Sequence, residues 1–312
     1  MNTVQNPFQS SQNIPVTHTV EELTKASQSE STRRSYAQAV SHFKQHGGSI
    51  PCDAQIIADY IASLATTHKV ATIQHRLIAI HQTHTAAGYL SPVMTPIVKR
   101  TMQGIRRTLG TAQRRVKALV KDDLLETLVL SDQQSPMKAA RDKALLLIGF
   151  AGAFRRSELV ALLVSDLGFN DVGVDILLRR SKTDQEGEGR EVFIPYAKGE
   201  RCPVKALKLW LEAASIEGGA VFRAVSRYDT VSGKALTGQS VALIVKQTVG
   251  RLHGAVARAK VSGHSLRAGY CTQAALVGLQ TWQIKEQTGH KSDTTLAKYI
   301  RPVQRRKIPS LL

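Results

Sequence analysis

Cysteine is scarce in this sequence, and the three that occur, Cys52, Cys202 and Cys271, stand apart with no CxxC pair. An odd, scattered set excludes a disulfide framework and the usual zinc spacings, so a reducing cytoplasm is the expected setting. Long apolar runs are missing too. The longest covers residues 144–154, falls well short of the roughly 20 residues a membrane span needs, and is interrupted by Gly149 and Gly152. The first twenty residues are polar and lack the apolar centre of a signal peptide, so neither export nor a membrane partner is expected. No Walker loop and no carboxylate cluster of the kind that holds two Mg²⁺ ions can be found, which leaves no expected cofactor and no expected metal. Acid is the last shortage: 24 Asp and Glu face 42 Lys and Arg, for a formal charge of +18. Such an excess repels itself, and a polyanion is the partner that relieves it, because clustered cations on phosphates release counterions.

What is present suits a folded protein. A length of 312 residues accommodates two domains, and a hydrophobic share of 42% argues against general disorder. Residues 1–18, rich in Asn, Gln, Ser and Thr, read as a flexible N-terminal tail. Residues 19–110 follow a helical pattern expected to form a bundle of four to five helices. Ser31 or Thr32 can cap a helix carrying Tyr36, Val40 and Phe43 and ending near Gly47 and Gly48. Asp53 can cap a second, with Ile56, Tyr60, Ile61 and Leu64 along one side. A third carries Ile73, Leu77 and Ile80 and stops at Gly88, and another runs over about residues 95–109.

Residues 111–118 form a basic linker, and residues 119–312 a second domain. There a helix starts at Asp122 or Asp123, an apolar helix spans about 137–153, and strands at 174–180 and 191–195 flank a turn-rich acidic stretch, which predicts a β-hairpin. Helices resume at 204–214 and 240–256 and continue to the end. The fold class expected is mainly α, with a small antiparallel sheet in the second domain.

Cations cluster on the first bundle and the linker. Lys69, Arg76, Lys99, Arg100, Arg106, Arg107, Arg114 and Arg115 are the candidates for contact with DNA phosphates, against the ordinary alternative of a solvated helix face. His75, His81 and His84 have no carboxylate or cysteine beside them, so a polar surface is favoured over a metal site.

Chemistry concentrates in the second domain. His264 and Arg267 are three positions apart and share one side of a helical turn, and Arg155 and Glu158 repeat that spacing. Lys182 lies at the hairpin tip, Gly289-His290 follows a helix, and Tyr299 comes nine residues later. Singly each has a bland reading: a surface charge, a core tyrosine, a helix stop.

Together, Ala153-Phe-Arg-Arg-Ser-Glu-Leu159, Arg180-Ser-Lys-Thr183, Gly263-His-Ser-Leu-Arg-Ala-Gly269, Gly289-His290 and Lys298-Tyr-Ile300 resemble, in order and context, the tyrosine recombinase family, the group of the phage integrases, Cre and the Xer recombinases. The resemblance covers residues 120–301, and extends more weakly to the front bundle through Ser31-Thr-Arg-Arg-Ser-Tyr36. It implies a core-binding bundle followed by a catalytic domain, in the simple Cre or Xer layout.

It also implies the reaction: site-specific breakage and rejoining of DNA through a 3′-phosphotyrosine on Tyr299, with release of a 5′-hydroxyl. Attack on a phosphodiester builds charge on the non-bridging oxygens, and the permanently charged, fork-shaped guanidiniums of Arg155 and Arg267 suit that charge. Arg155 is preferred to its neighbour Arg156 because it stands three residues before Glu158, which matches the spacing in the family. A phenol is mostly protonated at neutral pH, so a base helps, and His264 fits that part. Lys182 would protonate the departing 5′-oxygen, His290 would hydrogen-bond the phosphate or position the nucleophile, and Glu158 would orient its neighbours. The covalent ester conserves the bond's free energy, so neither metal nor nucleotide is called for.

The implied partners are double-stranded DNA with a specific site and three further copies of the chain, as a tetramer on two duplexes in the cytoplasm. The apolar Ile308, Leu311 and Leu312 would dock on a neighbouring protomer. Two rivals stand beside this reading: a type IB topoisomerase, which shares the chemistry without pairing sites, and a DNA-binding protein with a vestigial site.

Overall fold

The computed structural model describes residues 19–112, 116–179, 189–199 and 201–305. The chain divides into two compact units, Met1–Arg114 and Arg115–Leu312.

Among its described residues, the first unit has helices and no strand. Its helices are α1 (Val20–Ala26), α2 (Glu30–Gln45), α3 (Ala54–Leu64), α4 (Val70–Ala86) and α5 (Pro96–Leu109). Thr19 opens α1 with a reciprocal capping box to Glu22. The cap of α2 is Ser29, two residues before the expected Ser31 and three before Thr32, and its hydroxyl accepts from the Thr32 N–H. Ser31 thus lies in the first turn, where its own N–H is one of those left unpaired. Asp53 occupies the cap position of α3 without a side-chain bond.

Phe43, Ile57, Ile61, Ile73, Ile80, Val98 and Met102 make the centre of the core. Two expected core positions shift by one residue. Ile56 is 37% exposed while Ile57 is fully buried, and on α2 the buried pair is Ala39 and Phe43, with Tyr36 and Val40 half-buried beside α4. In each case two adjacent stripes were apolar, and only packing selects between them.

The second unit contains α6 (Lys121–Val129), α7 (Pro136–Ala151), α8 (Arg156–Ala161), β1 (Leu167–Phe169), β2 (Gly173–Leu178), β3 (Arg190–Pro195), α9 (Pro203–Ala213), β4 (Arg223–Val225), β5 (Val231–Ala235), α10 (Gly238–Lys260), α11 (Ser265–Leu276), α12 (Thr281–Thr288) and α13 (Asp293–Arg305). Strands β1, β2 and β3 form one antiparallel sheet in that order, with Ile176 opposite Val192 and Leu178 opposite Arg190. The expected hairpin is present, joined by the additional edge strand β1. The short pair β4 and β5 had no counterpart in the sequence reading.

Helix α7 is buried from Ala144 to Gly149 and forms the spine of the core, with Trp210, Phe154 and Phe222 around it. Its N-terminus is capped from a distance. Asp229 accepts from the Ser135 hydroxyl at 2.5 Å and from the Met137 and Lys138 N–H groups at 3.0 and 3.3 Å.

Two features place the C-terminal helices. A Cβ on Gly269 would stand 1.9 Å from the Leu119 carbonyl oxygen, so only glycine lets α11 lie against the segment entering this unit. That segment is also tied by the Leu119 N–H to the Ser265 carbonyl, at 3.0 Å. A separate apolar cluster, with Cys271, Ala274 and Ala275 from α11, Ile284 from α12 and Leu296, Ile300 and Val303 from α13, holds α13 against the other two.

Candidate active site

The site assembles where α8, α11, α12 and α13 meet. Arg155 immediately precedes α8 in an extended conformation. Its backbone N–H donates to Glu158 Oε2 at 2.8 Å, and its Nη1 donates to Oε1 at 2.5 Å. The Glu158 side chain is 1% exposed and that of Arg155 16%, so a buried carboxylate fixes one half-buried guanidinium. Arg156 is exposed, and its aliphatic stem lies against Gly263 and Gly238. The three-residue spacing behind the preference for Arg155 thus corresponds to a direct ion pair.

Arg267, in the first turn of α11, is the most buried cation among the described residues, at 1% exposure. Its Nη1 donates to the Ala153 carbonyl at 2.8 Å. Ala153 holds φ 49°, the left-handed region that side-chain-bearing residues seldom enter, and this turns the carbonyl toward the guanidinium. Nη2 of Arg267 lies 3.3 Å from His290 Nε2. Burial first, and the nearby cation Arg155 second, pull the Arg267 pKa down to about 10, which leaves it charged at neutral pH.

His290 follows Gly289, whose φ of 63° ends α12 with a left-handed turn. Its pKa is lowered to about 3 by burial, then by Arg267 and Arg155, so the ring is neutral.

His264 immediately precedes α11, and its Nε2 is 2.6 Å from the Tyr299 hydroxyl on α13. Tyr299 is half-buried, and its ring centre is 6.1 Å from that of His264 and 6.2 Å from that of His290. Partial desolvation, then the cations Arg267 and Arg155, lower the His264 pKa below its ordinary value. Neutral at pH 7, its Nε2 can take the phenol proton when the ring's own proton is on Nδ1.

Six of the expected site residues, Arg155, Glu158, His264, Arg267, His290 and Tyr299, therefore converge. Lys182 lies outside the described residues, as do Arg114, Arg115 and the apolar tail residues Ile308, Leu311 and Leu312. In the first unit, Lys99, Arg100, Arg106 and Arg107 are exposed on α5, Arg100 and Arg107 opposite its buried face of Val98, Met102 and Ile105 and Lys99 and Arg106 beside that face. Lys69 is exposed as well. Arg76 is different: it turns into a polar cluster, with Nη1 2.8 Å from His42 Nδ1 and Nη2 3.1 Å from His68 Nε2. His84 is fully buried, 2.9 Å from the Ile80 carbonyl, and no metal-like group of His, Cys, Asp or Glu occurs among the described residues.

Two participants were missed by the sequence reading. Arg190 opens β3 and donates Nη1 to the Gln287 carbonyl at 3.0 Å, near the end of α12. A Cβ on Gly289 would come within 2.8 Å of Arg190 Nε, so that glycine also makes room for the contact. Thr288 bonds His290 Nδ1 at 2.7 Å. The available signals were weak: an arginine after a Gly-rich turn, and a threonine beside the GH pair.

Comparison with known proteins agrees with this geometry. Residues 117–306 match the profile of the phage integrase family. An integrase/recombinase xerD homolog of Selenomonas ruminantium is 40% identical over 283 residues, covering 88% of this chain and 82% of that protein. Among solved structures, XerH site-specific recombinase bound to palindromic difH substrate in a post-cleavage complex aligns with a TM-score of 0.64 at 19% identity, over 88% of this chain and 77% of that one. A lambda integrase dimer bound to a COC' core site gives 0.65 at 15% identity, over 94% and 77%. A lambda integrase tetramer bound to a Holliday junction gives 0.62 at 15%, over 88% and 75%. The chain belongs to the phage integrase family and is a site-specific tyrosine recombinase, an enzyme that breaks and rejoins DNA strands.

Proposed function

We propose that Tyr299 is the nucleophile of this recombinase and that Arg155 and Arg267 bind the phosphate it attacks. The observation that carries the assignment is the 2.6 Å contact between the Tyr299 hydroxyl and His264 Nε2, beside a buried arginine. In this scheme His264 takes the phenolic proton as the oxygen attacks phosphorus, and the P–O5′ bond breaks. Lys182 is assigned the proton for the departing 5′-oxygen. Rejoining reverses the step: a 5′-hydroxyl attacks the phosphotyrosine, and His264 returns the proton to the phenol. Glu158 acts through Arg155, and His290, 3.3 Å from Arg267 and close to the Tyr299 ring, is assigned to hydrogen-bond the phosphate or position the nucleophile. The two guanidiniums present donors in place before charge develops, which is where such sites gain most of their rate.

The partner is double-stranded DNA with a defined site, held in part by the exposed face of α5. Lys99, Arg100, Arg106 and Arg107 lie there outside the buried stripe, so their cations can meet phosphates without disturbing the core. Recombination by strand exchange calls for four active sites on two duplexes, and the tetrameric assembly described for lambda integrase supports that arrangement here. We place the enzyme in the cytoplasm, on DNA. The test is a nicked duplex carrying the site recovered by binding selection, whose cleaved fragment escapes and prevents religation. Wild type is expected to become covalently attached to the DNA, and Tyr299→Phe to bind without attachment. Attachment by both, or by neither, would refute the assignment.

A further inference from the structure

Within the first unit, three histidines, a tyrosine and an arginine come together, and the reaction as written uses none of them. His42 stands in the last turn of α2, Tyr60 on α3, His68 in the turn that follows α3, and Arg76 on α4. Arg76 Nη1 is 2.8 and 3.0 Å from the two ring nitrogens of His42 and 3.3 Å from the Tyr60 hydroxyl, and its Nη2 is 3.1 Å from His68 Nε2. Just past α2, His46 stacks on His42 with ring centres 4.1 Å apart. We propose that this cluster is a binding site for one phosphate of the DNA backbone, gripped by Arg76 and by His42, which takes a proton from solvent as the phosphate enters. This rests on DNA being the partner, as proposed above.

The balance of charge points to an anion. Among the described residues Arg76 makes no ion pair, and its hydrogen-bond partners are two imidazoles and a phenol. The charges acting on His42 come from Arg76, His46 and His68, with no carboxylate among them. A half-buried guanidinium held without a counter-ion is costly, and an oxyanion entering from solvent offsets that cost through charge-assisted hydrogen bonds. A metal cation is the opposite case: the guanidinium at the centre would repel it, and no metal-like group occurs among the described residues. The cluster is also accessible. Tyr60 is buried, whereas His42, His68 and Arg76 are half-buried, and Lys69, next to His68 in the chain, is exposed.

The histidine makes the site sensitive to protons. Partial desolvation, then Arg76, His46 and His68, hold the His42 pKa below its ordinary value. A protonated ring has no lone pair, so it sets its N–H groups against the donors of Arg76. A phosphate reverses the preference, because its oxygens accept from both groups and its charge favours the protonated ring. The DNA-bound state therefore holds one more proton than the free state. Affinity should rise as pH falls from the raised pKa of the complex toward the lowered pKa of the free protein. A cluster that did no more than join α2, α3 and α4 would give no such linkage.

The test follows binding of the full chain to an intact duplex carrying its site, by fluorescence anisotropy across pH and salt, for wild type, His42→Gln and Arg76→Gln. His42→Gln should remove about one proton from the linkage, a loss of up to about 10-fold in affinity per pH unit between about pH 8 and pH 5.5. It should also remove the steepening of the salt slope, about 0.9 for one added cation, that wild type shows at the acid end. Arg76→Gln should reduce the slope of log K against log salt by about 1 at every pH. In wild type, the His42 ring titrated by NMR should show its pKa raised by the duplex, and raised less by inorganic phosphate.

The same pH slope in wild type and His42→Gln would overturn the proposal, as would losses in the variants that are uniform across pH and salt. A His42 ring that responds to inorganic phosphate but not to the duplex would mark a site for a free anion and overturn it too. The ring titration uses wild type alone, so it decides the role of His42 even if a variant fails to fold. A wild-type protein that binds no duplex at any pH would instead refute DNA as the partner, and the site with it.

Discussion

Replacing Arg267 by lysine keeps the charge and removes the fork, and the structure indicates what that should do. The guanidinium is 1% exposed and already supports two neighbours, the Ala153 carbonyl at 2.8 Å and His290 Nε2 at 3.3 Å. One ammonium nitrogen cannot reach both and still offer a pair of donors to a phosphate. Leaving a buried acceptor without its partner costs about 1–3 kcal/mol. In a unit of this size that lowers the melting temperature by about 2–12 °C. The catalytic effect should exceed the stability effect, since one preorganised donor to a developing oxyanion contributes roughly 10²- to 10³-fold in rate. Covalent attachment of Arg267→Lys to the nicked duplex, followed at saturating protein and below its melting point, should slow by that factor while DNA affinity changes little. Attachment within about 3-fold of wild type, with an unchanged melting temperature, would mean that the fork is not used.

Three further predictions test other parts of the account. Gly269→Ala should be among the most damaging single-methyl additions, because the new carbon meets a backbone oxygen that cannot rotate away; calorimetry should show a loss at or above the upper end of about 1–3 kcal/mol. His264 and His290 both have lowered pKa values, so the attachment rate should hold to a lower pH than an ordinary histidine base would allow before the base is lost. The sign for stability follows: the unfolded chain binds these protons first, so folding stability should decline as pH drops below 6.5, in urea melts that His290→Gln partly flattens. Lys99→Ala and Arg106→Ala should each reduce the slope of log K against log salt by about 1, measured by fluorescence anisotropy, while attachment of fully bound protein is unchanged.

Much of the site was legible because its residue types are demanding. Two arginines, two histidines and a tyrosine at set distances from helix starts and stops have few other reasons to occur together, and Glu158 was placed by the family resemblance, whose spacing from the first arginine it matches. What escaped depended on tertiary contact. Thr288 reads as an ordinary helix residue until His290 is seen bonded to it, and Arg190 as one more surface cation until its carbonyl partners on α12 are known. Ala153 offers no glycine to announce its left-handed turn, and its carbonyl matters only because Arg267 reaches it across 114 positions. The fold shows the same division. Helices α3, α4 and α5 followed from apolar periodicity, while the choice between Ile56 and Ile57, or between Tyr36 and Ala39, awaited the partners that bury them. The three-residue strands β1 and β4 are too short to show an alternating pattern.

The most direct measurement of the central claim is the chemical identity of the protein–DNA bond. Digesting the trapped complex with nuclease and protease should yield a peptide whose nucleotide is joined to Tyr299 through a 3′-phosphate. A nucleotide found on Tyr270, on a serine or on any residue other than Tyr299, or joined through a 5′-phosphate, would contradict the account.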